Sequence, residues 1–159
     1  MRAFQVTRSD TAPEFTTIPD CTPGPGEVLV RNCACGLNFA DLLMIRGKYQ
    51  DTPEPPFTLG MEVGGVVEAL GPGVEGPAPG TRVAVFGGSG GLADYGTYPA
   101  ERVVVLPDAV DFETAAALQI AAEYPLGAEC GDKERRIETG RQADQSNDAD
   151  HRPGKFRVV

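Results

Sequence analysis

Tryptophan is absent from this chain of 159 residues, and histidine occurs once, at His151. The four cysteines, Cys21, Cys33, Cys35 and Cys130, include no Cys-x-x-Cys pair. Structural zinc needs four convergent ligands, usually at that short spacing, so reduced, partly buried thiols and no bound metal are expected. Cys33 and Cys35 lie two apart in the strand-like run EVLVRNCACG, and simple alternation puts both on one sheet face. No apolar run is long enough to span a bilayer, and the opening MRAFQVTRSD has no apolar signal-peptide region. A cytoplasmic protein is expected. Positive charge is scarce: 14 Lys and Arg against 23 Asp and Glu leave a net charge of −9. That balance argues against nucleic acid or an anionic membrane surface as partner.

What the chain does have is turn chemistry. Twenty glycines and 14 prolines suit many short strands joined by tight turns. MRAFQVT alternates apolar and polar residues as a first strand, with EFTTIP as its partner. DCTPGPGE is a turn, and GEVLVRNCACGLN is the longest strand candidate. In QDTPEPPFT, Pro53, Pro55 and Pro56 break both helical and strand periods, so no regular structure is expected there. LGMEVGGVVEAL, TRVAVF and YGTYPAERVVVLP read as further strands, giving a mainly β, antiparallel, barrel-like domain. DFETAAALQIAAEY breaks the pattern: Asp111 is placed to cap a helix over about 112–123, which Pro125 and Gly127 end. Beyond that point 124–154 is polar, of mixed charge and without period, and is expected to be the least ordered part of the chain. The last residues, 155–159, read as a closing strand.

The segment Gly36 to Tyr49, GLNFADLLMIRGKY, organises the rest. Asn38 is an N-cap residue and Asp41, three positions on, completes a capping box. Phe39, Leu42 and Leu43 fall on one helical face, which predicts a short buried helix near 39–46. Gly47 ends it in a left-handed turn.

RVAVFGGSGGLA invites a dinucleotide-binding reading, because Gly88, Gly90 and Ala93 fit G-x-G-x-x-A after a strand. That fingerprint works only where the glycines open a helix facing the pyrophosphate. Here DYGTYPAERVVVL follows, with Gly96 and Pro99, so the segment reads as a turn between strands.

In order, PGPGEVLVRNCACGLNFADLLMIRGKY, LGMEVGGVVEALGPGV, GTRVAVF and FETAAALQIA resemble the N-terminal catalytic domain of the medium-chain dehydrogenase/reductase superfamily. Within it they are similar to the zinc-independent quinone oxidoreductase, zeta-crystallin-like branch. The resemblance covers residues 1 to about 121. It implies a GroES-like, partly open β-barrel with two or three short helices over residues 1–123, and 124–159 as a polar tail of uncertain structure. Asn38 stands where zinc-dependent relatives carry a ligand Cys, and Met61 where they carry the His of a GHE motif; neither is a good zinc ligand.

The resemblance therefore implies hydride transfer from NADPH to an already electrophilic quinone or enone, with hydrogen bonds replacing the metal at the acceptor oxygen. Residue by residue it places Asn38 beside nicotinamide and substrate, able to donate to a carbonyl. It places Tyr49 at the edge of the same cleft, as a second catalytic and cofactor-binding residue, and Met61 in the substrate pocket. Asp41 reads as a helix cap, and Glu62 as a structural hydrogen-bonding residue. A homodimer is the assembly implied. After LQIA, family members continue into a Rossmann domain with its glycine fingerprint, and none is found here between 121 and the closing PGKFRVV. The chain alone is therefore expected to be inactive, with NADP binding doubtful. The alternative is a non-enzymatic barrel that binds a small apolar ligand or a protein partner.

Overall fold

The computed structural model describes residues 1–123 and 157–159, the side chains of 119–123 excepted. The expectations for 124–154, with Cys130 and His151, and for the start of the closing strand at 155–156, lie outside the described residues.

Alternation in the first residues yields β1 (Arg2–Val6), whose Ala3 and Val6 turn inward. It pairs antiparallel with β2 (Glu14–Thr17) on one side and with the short β4 (Phe57–Thr58) on the other. The longest strand, β3 (Glu27–Gly36), pairs antiparallel with β5 (Glu62–Leu70) along most of its length. β6 (Arg82–Phe86) and β8 (Val103–Val105) extend that side of the sheet, and β7 (Tyr95–Pro99) lies on the other side of β3. β9 (Arg157–Val158) continues the β7 side in parallel, opposite Ala34 and Cys35. The result is a three-stranded and a six-stranded sheet that do not close into a full barrel, with α1 (Phe39–Ile45) and α2 (Phe112–Glu123) as the two α-helices among the described residues. Mainly β is what the turn-rich sequence predicts, and a partly open GroES-like arrangement is what the family resemblance implies.

Two departures follow from local chemistry. Phe57 and Thr58, in the proline-rich segment, do form strand, because they meet Val6 and Gln5 once the prolines are passed. YGTYPAERVVVLP is two strands rather than one: Pro99 opens a 3-10 turn, Ala100–Arg102, which redirects the chain from β7 to β8.

The core has two clusters. Val28, Val30, Val63, Val67, Val83 and Val85 fill one with Tyr98. Each such side chain gains about 1.5–3 kcal/mol over exposure to water. The other gathers Val6, Cys35, Met44, Phe57, Leu59, Met61 and Leu92 beneath α1.

The helix α2 lies close on the outer side of β3 and β5. A Cβ at Gly36 would stand 2.4 Å from the Ala116 carbonyl oxygen, and one at Gly64 only 2.3 Å from that of Phe112. Only glycine admits this approach. Asp111 caps the helix as the sequence predicts, Oδ1 accepting from Thr114 N–H at 2.6 Å. Arg82 donates to the carbonyls of Pro107 and Asp108 at 3.3 and 3.2 Å, and its guanidinium lies 4.7 Å over the Phe112 ring.

The cysteines are not on one face. The β3–β5 register slips between Asn32, opposite Gly65, and Ala34, opposite Gly64, so Cys33 is an extra residue. Past this bulge Cys35 falls opposite Val63 and enters the core, while Cys33 is half-buried beside Arg31, whose Nη1 lies 3.6 Å from its sulfur.

Candidate functional site at the start of the first helix

The helix α1 leaves β3 after two residues, Leu37 and the extended Asn38, and is capped by its own first turn. Asn38 is the N-cap, at φ −121° and ψ 157°, and Asp41 Oδ2 accepts from its backbone N–H at 2.9 Å. The other carboxylate oxygen of Asp41 accepts from Gly60 N–H, also at 2.9 Å. Asp41 is thus a buried clamp between α1 and the turn leading into β5, and burial raises its pKa against the opposing effect of those two N–H donors. Gly47, at φ +62°, ends the helix as predicted, its N–H reaching the Met44 carbonyl at 2.9 Å.

The face of α1 turned to the core is not the predicted one. Asp41 and Met44 are buried, whereas Phe39 is 74% exposed and Leu42 55%. Asp41 bonds to Gly60 and so faces inward, which leaves Phe39 and Leu42 outward, and Leu37 is exposed as well.

Asn38 itself is half-buried. Its amide nitrogen donates to Glu62 Oε2 at 2.9 Å, and Glu62 is 2% exposed at the start of β5, opposite Gly36. Met61, its neighbour, is 2% exposed in the cluster beneath α1, and the half-buried Tyr49 packs against that same cluster. Of the three residues picked out by the sequence, Met61 and Tyr49 thus share one cluster, and Asn38, at the other end of α1 from Tyr49, is tied to it through Glu62, the neighbour of Met61. Cys35 lies in this cluster too, its thiol pKa pushed up by burial first and by the charges of Asp41 and Glu62 second. The Asn38–Glu62 bond was not readable from the sequence. It depends on the register that sets Gly36 opposite Glu62, and only the position of Glu62 next to Met61 hinted at it.

The glycine run after β6 is a turn. Gly88 and Gly90 have φ of +78° and +91°, and the chain goes on to β7 with no helix between. The buried Asn32 holds this turn through its amide nitrogen, 3.2 Å from the Gly91 oxygen and 3.0 Å from that of Ala93. Its oxygen accepts from the Tyr98 hydroxyl at 3.3 Å. The run presents no helix N-terminus to a pyrophosphate, so the described residues do not fit a whole dinucleotide. Among them, no three His, Cys, Asp or Glu residues gather as a metal-binding group, and no helix is long and apolar enough to cross a membrane. A cavity of about 910 Å³ lies between the small sheet and β9, lined among others by Phe4, Phe15, Leu37, Leu92 and Val158, and so borders the cluster beneath α1 through Leu92 and Phe4.

This open β architecture with a capped helix at its rim is that of the alcohol dehydrogenase GroES-like domain, whose family model matches residues 24–108. The chain belongs to that family. Its relatives are VAT-1 homologues and quinone oxidoreductases of the medium-chain dehydrogenase/reductase superfamily. The synaptic vesicle membrane protein VAT-1 homolog of Rattus norvegicus is 47% identical over 98 residues, which are 62% of this chain and 24% of that protein. A quinone oxidoreductase of Pseudomonas aeruginosa is 42% identical over 108 residues, 67% of this chain and 33% of that one. The quinone oxidoreductase of Thermus thermophilus, also solved in complex with NADPH, superposes with a TM-score of 0.63 at 38% identity, over 73% of this chain and 36% of that chain. The chain spans about a quarter of the length of the VAT-1 relatives it matches.

Proposed function

We propose that residues 1–123 are the acceptor-binding domain of a zinc-independent oxidoreductase that reduces a quinone or conjugated enone with NADP as cofactor. The observation that carries this reading is Asn38: a half-buried carboxamide at the start of α1, its backbone capped by Asp41 and its nitrogen anchored on Glu62. Reduction of a conjugated carbonyl builds negative charge on its oxygen, and an N–H donor held in place beforehand stabilises that charge without reorganising. Met61 in a former metal-ligand position and Asn38 in another leave hydrogen bonding as the activating device. Tyr49 supplies a ring edge and a hydroxyl at the side of the cleft, and the exposed Phe39 and Leu42 supply apolar surface for a flat acceptor. Quinone oxidoreductases among the relatives support this substrate class, and the Thermus thermophilus complex with NADPH supports the cofactor. The described residues offer no cradle for its phosphates, so no catalytic step is assigned to the cofactor on this chain.

A second reading, a non-enzymatic barrel for a small apolar ligand, is favoured by the cavity beside Phe4 and Phe15. Titrating the ¹⁵N-labelled chain with cyclohex-2-enone separates the two. Shifts centred on Asn38 and Tyr49 and lost in Asn38→Ala support the acceptor site. Shifts confined to Phe4, Phe15 and Val158 overturn it in favour of the second reading. With NADPH and a simple quinone the chain alone is expected to show no turnover, and micromolar NADPH binding with turnover would defeat that expectation.

A further inference from the structure

We infer that Glu62 is a positioning residue that sets the orientation of the Asn38 carboxamide toward the acceptor, an inference that rests on the acceptor-site reading above. An asparagine amide has two chemically opposite ends, and at the rim of a cleft it can turn either one inward. A carboxylate answers only the N–H end. With Oε2 of Glu62 at 2.9 Å from Nδ2, one amide proton is committed to Glu62 and the other remains available on the same nitrogen. The carboxylate cannot follow a rotating amide, because Glu62 is 2% exposed and its backbone is pinned between Gly36 of β3 and Phe86 of β6. Space for it comes from Gly36: a Cβ there would stand 3.1 Å from Oε2. The backbone of Asn38 is fixed independently by Asp41. Two carboxylates from two elements thus hold one residue, Asp41 its main chain and Glu62 its side chain. A purely structural role for Glu62 would leave the amide's availability to a ligand unaffected; a positioning role would not.

The side-chain NH₂ signals of Asn38 in the ¹⁵N-labelled full chain read this directly, with cyclohex-2-enone as probe. In the wild type one Nδ2 proton is expected downfield, bonded to Glu62, and the enone is expected to move the other. Glu62→Leu should return the downfield proton to the free-amide position and weaken enone binding by about three- to tenfold, the range of one lost hydrogen bond. Glu62→Gln keeps volume and an acceptor but removes charge, so the proton should move part of the way upfield with a loss of about two- to threefold. The backbone N–H of Asn38, bonded to Asp41, should keep its shift in both. If the Leu variant does not fold, the Gln variant decides. Unchanged Asn38 NH₂ signals and unchanged affinity in either folded variant overturn the inference while leaving the acceptor site standing. An enone that leaves the wild-type Asn38 amide unmoved defeats the acceptor reading and this inference with it, before any variant is made.

Discussion

The two core clusters are built on different principles. Under the six-stranded sheet, six valines and one tyrosine meet across strands, stiff side chains with a single polar atom that finds a partner in Asn32. Beneath α1 the corresponding space is shared by two methionines, a cysteine, a phenylalanine, two leucines and a valine, bordered by two buried carboxylates. The first arrangement specifies a scaffold. The second tolerates polar groups because each has a geometric answer: Asp41 takes two backbone N–H groups, and Glu62 takes the Asn38 amide. Polar atoms in an apolar setting leave irregular gaps, and it is Met, with its adaptable thioether, that fills them.

The sharpest way to break this comparison is to move a carboxylate by one residue. Glu62 and Val63 are adjacent and face opposite sides of β5. Val63→Asp would place a charge among valines with no donor, at a cost of about 4 kcal/mol or more. Urea unfolding followed by circular dichroism is expected to show a largely unfolded chain. A variant that folds with a near-normal midpoint would mean that the valine cluster accommodates polarity as the α1 corner does.

A smaller effect sharpens the comparison from the other side. Met44→Ala should cost about 2–5 kcal/mol through the cavity it leaves, whereas Met44→Leu should cost less than about 1.5 kcal/mol, because the corner can repack. Equal losses in the two variants would show that the corner is as rigid as the sheet core.

The smallest effect is one of pH. Burial raises the pKa of Asp41, so the folded chain holds that proton more tightly than the unfolded chain does. Its contribution to stability is fully present below about pH 4, the unfolded carboxylate value, and is lost as pH rises through the raised folded value. Asp94 has the opposite sign: the side-chain hydrogen bond from Arg2 lowers its pKa, so its contribution is present above about pH 4 and lost as pH falls through the lowered value. Urea midpoints from pH 3 to 8 are expected to lose the high-pH decline in Asp41→Asn and the low-pH decline in Asp94→Asn. The second change should be slight, because Arg2 is 67% exposed and solvent screens the pair. A profile for Asp41→Asn parallel to that of the wild type would contradict this account.

Most strands, both helices and their caps were legible in the sequence, because they are written in short-range chemistry: alternation, Asn38 with Asp41, Asp111 before an alanine-rich run. The short strand at Phe57–Thr58 and the break at Pro99 were not, since each depends on where the chain meets a neighbour. Nor was the inward face of α1. Phe39, Leu42 and Leu43 have the periodicity of a core stripe, and only the tertiary bond from Asp41 to Gly60 decides that Met44 goes in and Phe39 out. The bulge at Cys33 was hidden because Asn-Cys-Ala-Cys-Gly is composed of small residues that suit either face. The sequence brought Asn38, Tyr49 and Met61 forward through family resemblance, and what it could not supply was the long-range register that makes Glu62 the partner of Asn38.

The slipped register at Cys33 also equips the molecule with a chemical clock. Two thiols stand two residues apart on one strand, one half-exposed and one sealed at 0% exposure against Met44 and Met61. An alkylating reagent meets Cys33 in the folded state but meets Cys35 only during moments when the α1 corner parts from the sheet. The ratio of the two labelling rates is therefore a count of those openings, with Cys33 as the internal standard. A ligand seated at the rim of α1 would slow the Cys35 label alone.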